Sequence, residues 1–302
     1  MPNKPDRSAT TVDPEALLAI RDLELRARIV VEGIWAGLHR SPYHGFSVEF
    51  SEYRQYSPGD DLRYLDWKAL ARTDREFLKV FEDETNLRCQ VAFDASRSMD
   101  FTSLSYSKFD YARTLAATLS YFLGKQRDVV GLARFDSRIT DYQEPRWRPG
   151  HFQRLLAILE RDPEGKGTDL AEVLVELRRL NRKRSLFIII SDFLSDPESW
   201  QAELSYLSSM GHDVRALQIL DPAETDLQYG KAAYWDDLET GETRFVDPDS
   251  ARDNYVERFK KRQSAIREAF ARAGASLQTL TTDQPLDLAL VEFIRNLKGV
   301  MK

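Results

Sequence analysis

The period of the apolar positions changes several times along the chain, and each change marks an element. After Asp13-Pro14, a cap followed by a first-turn proline, Leu17, Leu18, Ile20, Leu23, Leu25, Ala27, Val30 and Val31 recur at helical spacing. That spacing predicts one amphipathic helix ending at Gly33. Residues 34–86 follow no such period. They are aromatic, charged and turn-rich, with a strong turn at Ser57-Pro58-Gly59-Asp60 and a strand expected over 77–84. From residue 87 short apolar runs alternate with helical patterns. Strands are expected at 87–93, 129–135, 186–190, 214–220 and 276–281, and helices at 109–123, 152–159, 170–180, 199–210, 251–273 and 286–297.

Near-continuous apolar strands alternating with helices require a sheet covered on both faces, so the fold class is α/β, a doubly wound, mostly parallel, Rossmann-like sheet. Runs at 233–238 and 243–246, joined through Glu239-Thr240-Gly241-Glu242, predict a β-hairpin inserted near 230–247. The expected organisation is an N-terminal helix and irregular segment over 1–86, then an α/β domain over 87–302.

Composition narrows the function classes. The 302 residues are 42% hydrophobic, which supports a packed core. Lys and Arg number 43 against 49 Asp and Glu, a net charge of −6 that provides no basic field for nucleic acid. The basic run at 178–184 suits a helix C-terminus. Cys89 is the single cysteine, so there is no intrachain disulfide, and its place in an apolar run reads as a packed strand residue. The first residues lack the apolar core of a signal peptide, and the longest apolar runs fall far short of the ~18 residues of a membrane helix. A cytoplasmic protein without membrane insertion is the expectation.

Candidate chemistry begins where the first buried strand ends, at Asp94-Ala95-Ser96-Arg97-Ser98. Ligands of open α/β sheets bind beyond the carboxyl ends of the strands. Asp94 stands at such an end, with two hydroxyls following at alternate positions. The loop Gly165-Lys166-Gly167-Thr168-Asp169 adds a hydroxyl just before a helix, and Ser191-Asp192 adds a carboxylate at the end of another buried strand. One by one these are ordinary caps and turns. Together, Asp94, Ser96, Ser98, Thr168 and Asp192 form a hard-oxygen set suited to Mg²⁺ or Mn²⁺ rather than zinc. His39, His44, His151 and His212 show no paired-ligand spacing, and the glycine patterns of nucleotide-binding loops and of the hydrolase nucleophile elbow are absent.

The order Asp-x-Ser-x-Ser, Thr, Asp resembles the metal-ion-dependent adhesion site of von Willebrand factor A domains, matched at all five positions. Upstream, Glu49-Phe50, Arg54, Tyr56, Gly59-Asp60-Asp61, Arg63, Asp66-Trp67 and Ala71-Arg72 are similar to the signature of the bacterial domain-of-unknown-function-58 proteins. These pair that signature with an A-type domain. The resemblance spans about residues 35–300. It implies a von Willebrand factor A-like fold, a cation that bridges to a carboxylate on a partner protein, and a MoxR-type AAA+ ATPase as partner. The function expected is a non-enzymatic adaptor in assembly or maturation of a protein complex.

The enzymatic alternative is a Mg²⁺-dependent phosphatase or hydrolase with Asp94 as nucleophile. Haloacid-dehalogenase-like phosphatases have Asp-x-Asp at this point. Ser96 stands at the second position here and removes the usual acid/base partner.

Overall fold

The computed structural model describes residues 12–39, 52–55, 72, 77–80, 87–163, 165, 167–227, 233–236 and 243–298. Two helices open the chain, α1 (Pro14–Leu18) and α2 (Leu23–His39), followed by β1 (Glu52–Gln55) and β2 (Phe77–Val80). Then come β3 (Arg88–Asp94), α3 (Lys108–Lys125), β4 (Val129–Phe135), β5 (Ile139–Arg146), α4 (His151–Leu159) and α5 (Leu170–Leu180). After these lie β6 (Leu186–Ser191), α6 (Pro197–Ser209), β7 (Asp213–Leu220), α7 (Pro222–Asp226) and the hairpin β8 (Ala233–Asp236) and β9 (Thr243–Val246). The described chain closes with α8 (Pro248–Arg272), β10 (Ser276–Thr281) and α9 (Leu286–Lys298).

Six strands form one sheet in the order β10-β7-β6-β3-β4-β5, parallel throughout except for β5, which runs antiparallel to β4. The two-residue period of a strand sends alternate side chains to opposite faces. Val91 and Phe93 of β3, Ile188 and Ile190 of β6, and Leu217 and Ile219 of β7 enter one core with α1, α2, α3, α4 and α9. Ala92, Phe187, Ile189, Val214 and Ala216 enter a second core with α5, α6 and α8. In that second layer Trp200, Phe193 and Phe270 pack ring against ring, with centroids 5.3 to 6.1 Å apart. The α/β architecture read from the sequence, a mostly parallel sheet covered by helices on both faces, is the architecture found.

Four features differ from expectation. The single N-terminal helix is two, because Asp22 accepts from Leu25 N (2.9 Å) and starts a new helix. The buried Arg26 guanidinium meanwhile ties up carbonyls at the end of α1, Leu18 O at 2.9 Å and Ile20 O. Gly33 does not end α2, which continues to His39; at 33 a Cβ would meet Asp287 Cβ at an ordinary 3.5 Å. The edge strand β5 was not expected: its mixed burial and Pro145 give no apolar run, which only an edge tolerates. Finally, a boundary does lie at residue 86, but the N-terminal helices group with the residues beyond it. One compact unit comprises Met1–Leu38 with Leu87–Lys302, and His39–Asn86 form a second. Within the second, β1 and β2 pair antiparallel from Glu52 with Val80 to Gln55 with Phe77. The turn at 57–60, most of the upstream signature, and residues 81–84 of the expected strand lie outside the described residues.

Candidate metal centre

Strand order reverses between β3 and β6. The chain leaves β3 for β4 and β5 on one side, then returns to β6 on the other. A cleft opens at such a reversal because the loops on either side diverge. Phe93 pairs in register with Ile190, so Asp94 at the end of β3 stands beside Ser191, with Asp192 next along the chain. Both carboxylates are thereby brought to one point by sheet register.

Asp94 is 0% exposed. Its Oδ1 accepts from Ser96 N at 2.9 Å and its Oδ2 accepts from the Ser191 hydroxyl at 2.5 Å. The first bond turns the backbone sharply, and Ser96 Oγ then lies 3.0 Å from Ser98 Oγ, both serines buried. Ala95 N donates to Phe135 O (2.7 Å), tying the turn to the end of β4. The 165–169 loop is pinned from the other side: Ser96 bridges Gly165, and Arg97 N donates to Gly165 O at 3.2 Å. A side chain at 165 would run into Asp136, so only glycine passes here. Three residues on, the Thr168 hydroxyl is buried without a hydrogen-bond partner, while Asp169 caps α5 through Glu172 N (3.1 Å).

Asp192 is buried and takes a different partner. Its Oδ2 accepts from Lys108 Nζ at 2.9 Å and its Oδ1 from Leu194 N at 3.2 Å. Lys108, wholly buried at the first position of α3, also donates to Glu224 Oε1 at 2.7 Å. Two carboxylates outweigh the burial that would discharge it, and hold its ammonium above the ordinary lysine range. Burial first, and then the charge of Asp192, push the Asp94 carboxyl up to about 7, against the hydrogen bonds from Ser191 and Ser96.

The residue types fit a hard divalent cation. A buried hydroxyl with no partner at Thr168, two buried serine hydroxyls side by side, and a carboxylate raised by burial and by the charge of Asp192 are what such an ion would relieve. Among the described residues no three or more His, Cys, Asp or Glu side chains converge on a metal-holding point, so hydroxyl oxygens are needed to complete the set. Of the five sequence-derived positions, Asp94, Ser96 and Ser98 are joined by direct hydrogen bonds, and Asp192 acts on Asp94 through its charge. Thr168 is linked to them through the Gly165 bridge. Sequence reasoning missed Ser191, Lys108 and Glu224. A lysine in the first turn of a helix opposes the macrodipole, and that was the legible signal for Lys108.

Known proteins provide the remaining comparison. An uncharacterized protein of Mycobacterium tuberculosis is 29% identical over 286 residues, covering 93% of this chain and 90% of that protein. One from Mycobacterium avium is 33% identical over 144 residues, 47% of this chain and 84% of its own. Among solved structures, an aerotolerance-related membrane protein from Bacteroides fragilis aligns with 70% of this chain and 99% of its own at a TM-score of 0.49 and 17% identity. The conserved hypothetical protein BatB from Bacteroides thetaiotaomicron aligns over 70% and 99% at 0.46 and 16% identity. The family model described as "Protein of unknown function DUF58" matches residues 52–275, a span that takes in all five candidate ligands, and the chain belongs to that family.

Proposed function

We propose that this chain is a non-enzymatic, divalent-cation-dependent protein-binding module. Ser96, Ser98 and Thr168 offer neutral oxygens to Mg²⁺ or Mn²⁺, and Asp94 and Asp192 supply charge directly or through water. A bound cation supplies a Lewis-acid position that an Asp or Glu of another protein can fill. The observation that carries this reading is the partnerless, buried Thr168 hydroxyl on a loop pinned against the Asp94 turn. Exposed apolar side chains flank the site, Leu194 (46% exposed) just after Asp192 and Leu104 (37%) on a loop whose Ser103 N donates to Asp221 at 2.8 Å. They favour a protein partner with apolar residues beside its acid.

Binding is favoured over turnover because position 96 carries a hydroxyl where a phosphatase needs a carboxylate, and because both Asp94 oxygens already accept hydrogen bonds. The partner class proposed, from the family resemblance, is a MoxR-type AAA+ ATPase, with the chain acting in the cytoplasm as an adaptor in assembly or maturation of a protein complex. No helix among the described residues is long and apolar enough to cross a membrane. The test is capture of such an ATPase by the purified chain. Capture that needs Mg²⁺, is lost with a chelator and is absent in Asp94→Ala supports the proposal; equal capture by wild type and Asp94→Ala contradicts it. Mg²⁺-dependent cleavage of an aryl phosphate, lost in Asp94→Asn, would favour the hydrolase instead.

A further inference from the structure

Lys108 is the only buried lysine among the described residues, and it is not one of the candidate ligands. Its ammonium lies between Asp192 (2.9 Å) and Glu224 (2.7 Å), with the Phe101 ring centroid 5.8 Å away. Glu224 is held firmly in place. Its other oxygen accepts from Asp221 N at 2.8 Å in a capping box, and Asp221 in turn accepts from Ser103 N at 2.8 Å. The backbone of Glu224 is tied to α8 by the Tyr255 hydroxyl, 2.7 Å from its carbonyl oxygen.

We infer that Lys108 is an internal cation that competes with the divalent ion for Asp192, and that Glu224 sets how strongly it competes. This rests on the metal-binding reading above. Asp192 and Glu224 set two carboxylates against the one ammonium between them, so each change at 108 or 224 alters the charge that Asp192 can offer a divalent ion. Inside a protein, charges a few ångströms apart interact strongly enough to change affinities by orders of magnitude. Without Lys108 the cluster has one more negative charge to attract the ion. With Glu224 neutral, the ammonium turns wholly to Asp192 and the net attraction falls. A lysine that merely held the fold together would predict weaker binding for both changes.

The experiment is a calorimetric titration with Mn²⁺ alone on wild type, Lys108→Met, Lys108→Arg and Glu224→Gln, with circular dichroism to verify folding. Charge count tunes affinity at such sites, so Lys108→Met should bind about tenfold tighter and Glu224→Gln about tenfold weaker, with Lys108→Arg close to wild type. Binding by Lys108→Met that equals or falls below wild type, or movement of both neutralising variants in one direction, would overturn the inference. If Lys108→Met does not fold, Glu224→Gln decides: unchanged or tighter binding overturns it. Wild-type uptake that Asp94→Ala abolishes, with no opposed shifts at 108 and 224, would sink the competition and leave the metal site standing. No uptake by wild type or any variant would sink both.

Discussion

At Asp94 a carboxylate without solvent stands beside a second one, Asp192, and hydrogen bonds from Ser191 and Ser96 relieve it only in part. Its folded-state pKa is raised, so between the unfolded value and about 7 the folded protein holds a proton that the unfolded chain has released. The contribution of this residue to stability is therefore favourable at low pH and lost as pH rises through about 7. Metal-free Asp94→Asn should melt above wild type at about pH 8 and lose most of that advantage at about pH 5. Thermal melts at the two values check this; an equal difference at both contradicts it. Lys108 is the converse case. Removing one member of a buried ion pair leaves the other uncompensated, so Lys108→Met should cost about 3–5 kcal/mol in metal-free urea unfolding. A loss below about 1 kcal/mol, the range of exposed pairs, would show that the pair is not buried in solution.

Elements set the distances between these residues. The strands β3 and β6 could be read from the sequence because both faces are covered, making them near-continuous apolar runs, broken in β3 by Gln90, that end in a polar residue. Asp94 and Asp192 were legible for the same reason, as the carboxylates at the ends of buried strands. The pairing of Lys108 with Asp192 and Glu224 was not, because it depends on how two helix starts meet across the strand ends, and no local period encodes that. The edge strand β5 was hidden by its half-exposed pattern, and the break between α1 and α2 by Arg26, whose carbonyl contacts are a tertiary matter. Gly165 gives the element-scale prediction. Gly165→Val forces Asp136 or the loop to move, shifting Thr168; the divalent-induced rise in melting temperature should shrink while the fold persists at a cost of about 1–3 kcal/mol. Cys89, within β3, is buried and its thiol is pushed up by burial above all, so a thiol reagent should label it only after denaturation. Rapid labelling of the native protein would mean that β3 opens far more readily than its burial allows.

For the molecule as a whole, two apolar cores cover either side of one sheet, and the candidate site stands at the strand ends where strand order reverses. The β8–β9 hairpin adds to this unit an exposed aromatic pair, Tyr234 (75%) and Phe245 (62%), with ring centroids 5.4 Å apart. Exposed side chains contribute little to stability, so replacing both by Ala should move unfolding by no more than about 0.5 kcal/mol. A larger loss would assign the pair a packing role that its exposure does not suggest.

The central claim is that Asp94, Ser96, Ser98, Thr168 and Asp192 hold a divalent cation. Its most direct test is a thermal melt of wild type and of the double variant Asp94→Ala/Asp192→Ala, each with and without excess Mg²⁺ or Mn²⁺. At about one hundred times its dissociation constant a ligand stabilises by ~2.7 kcal/mol, which for a chain of this size is a rise of roughly 4–5 °C. Wild type should show that rise and the double variant none. An equal rise in both, or none in either, would contradict it.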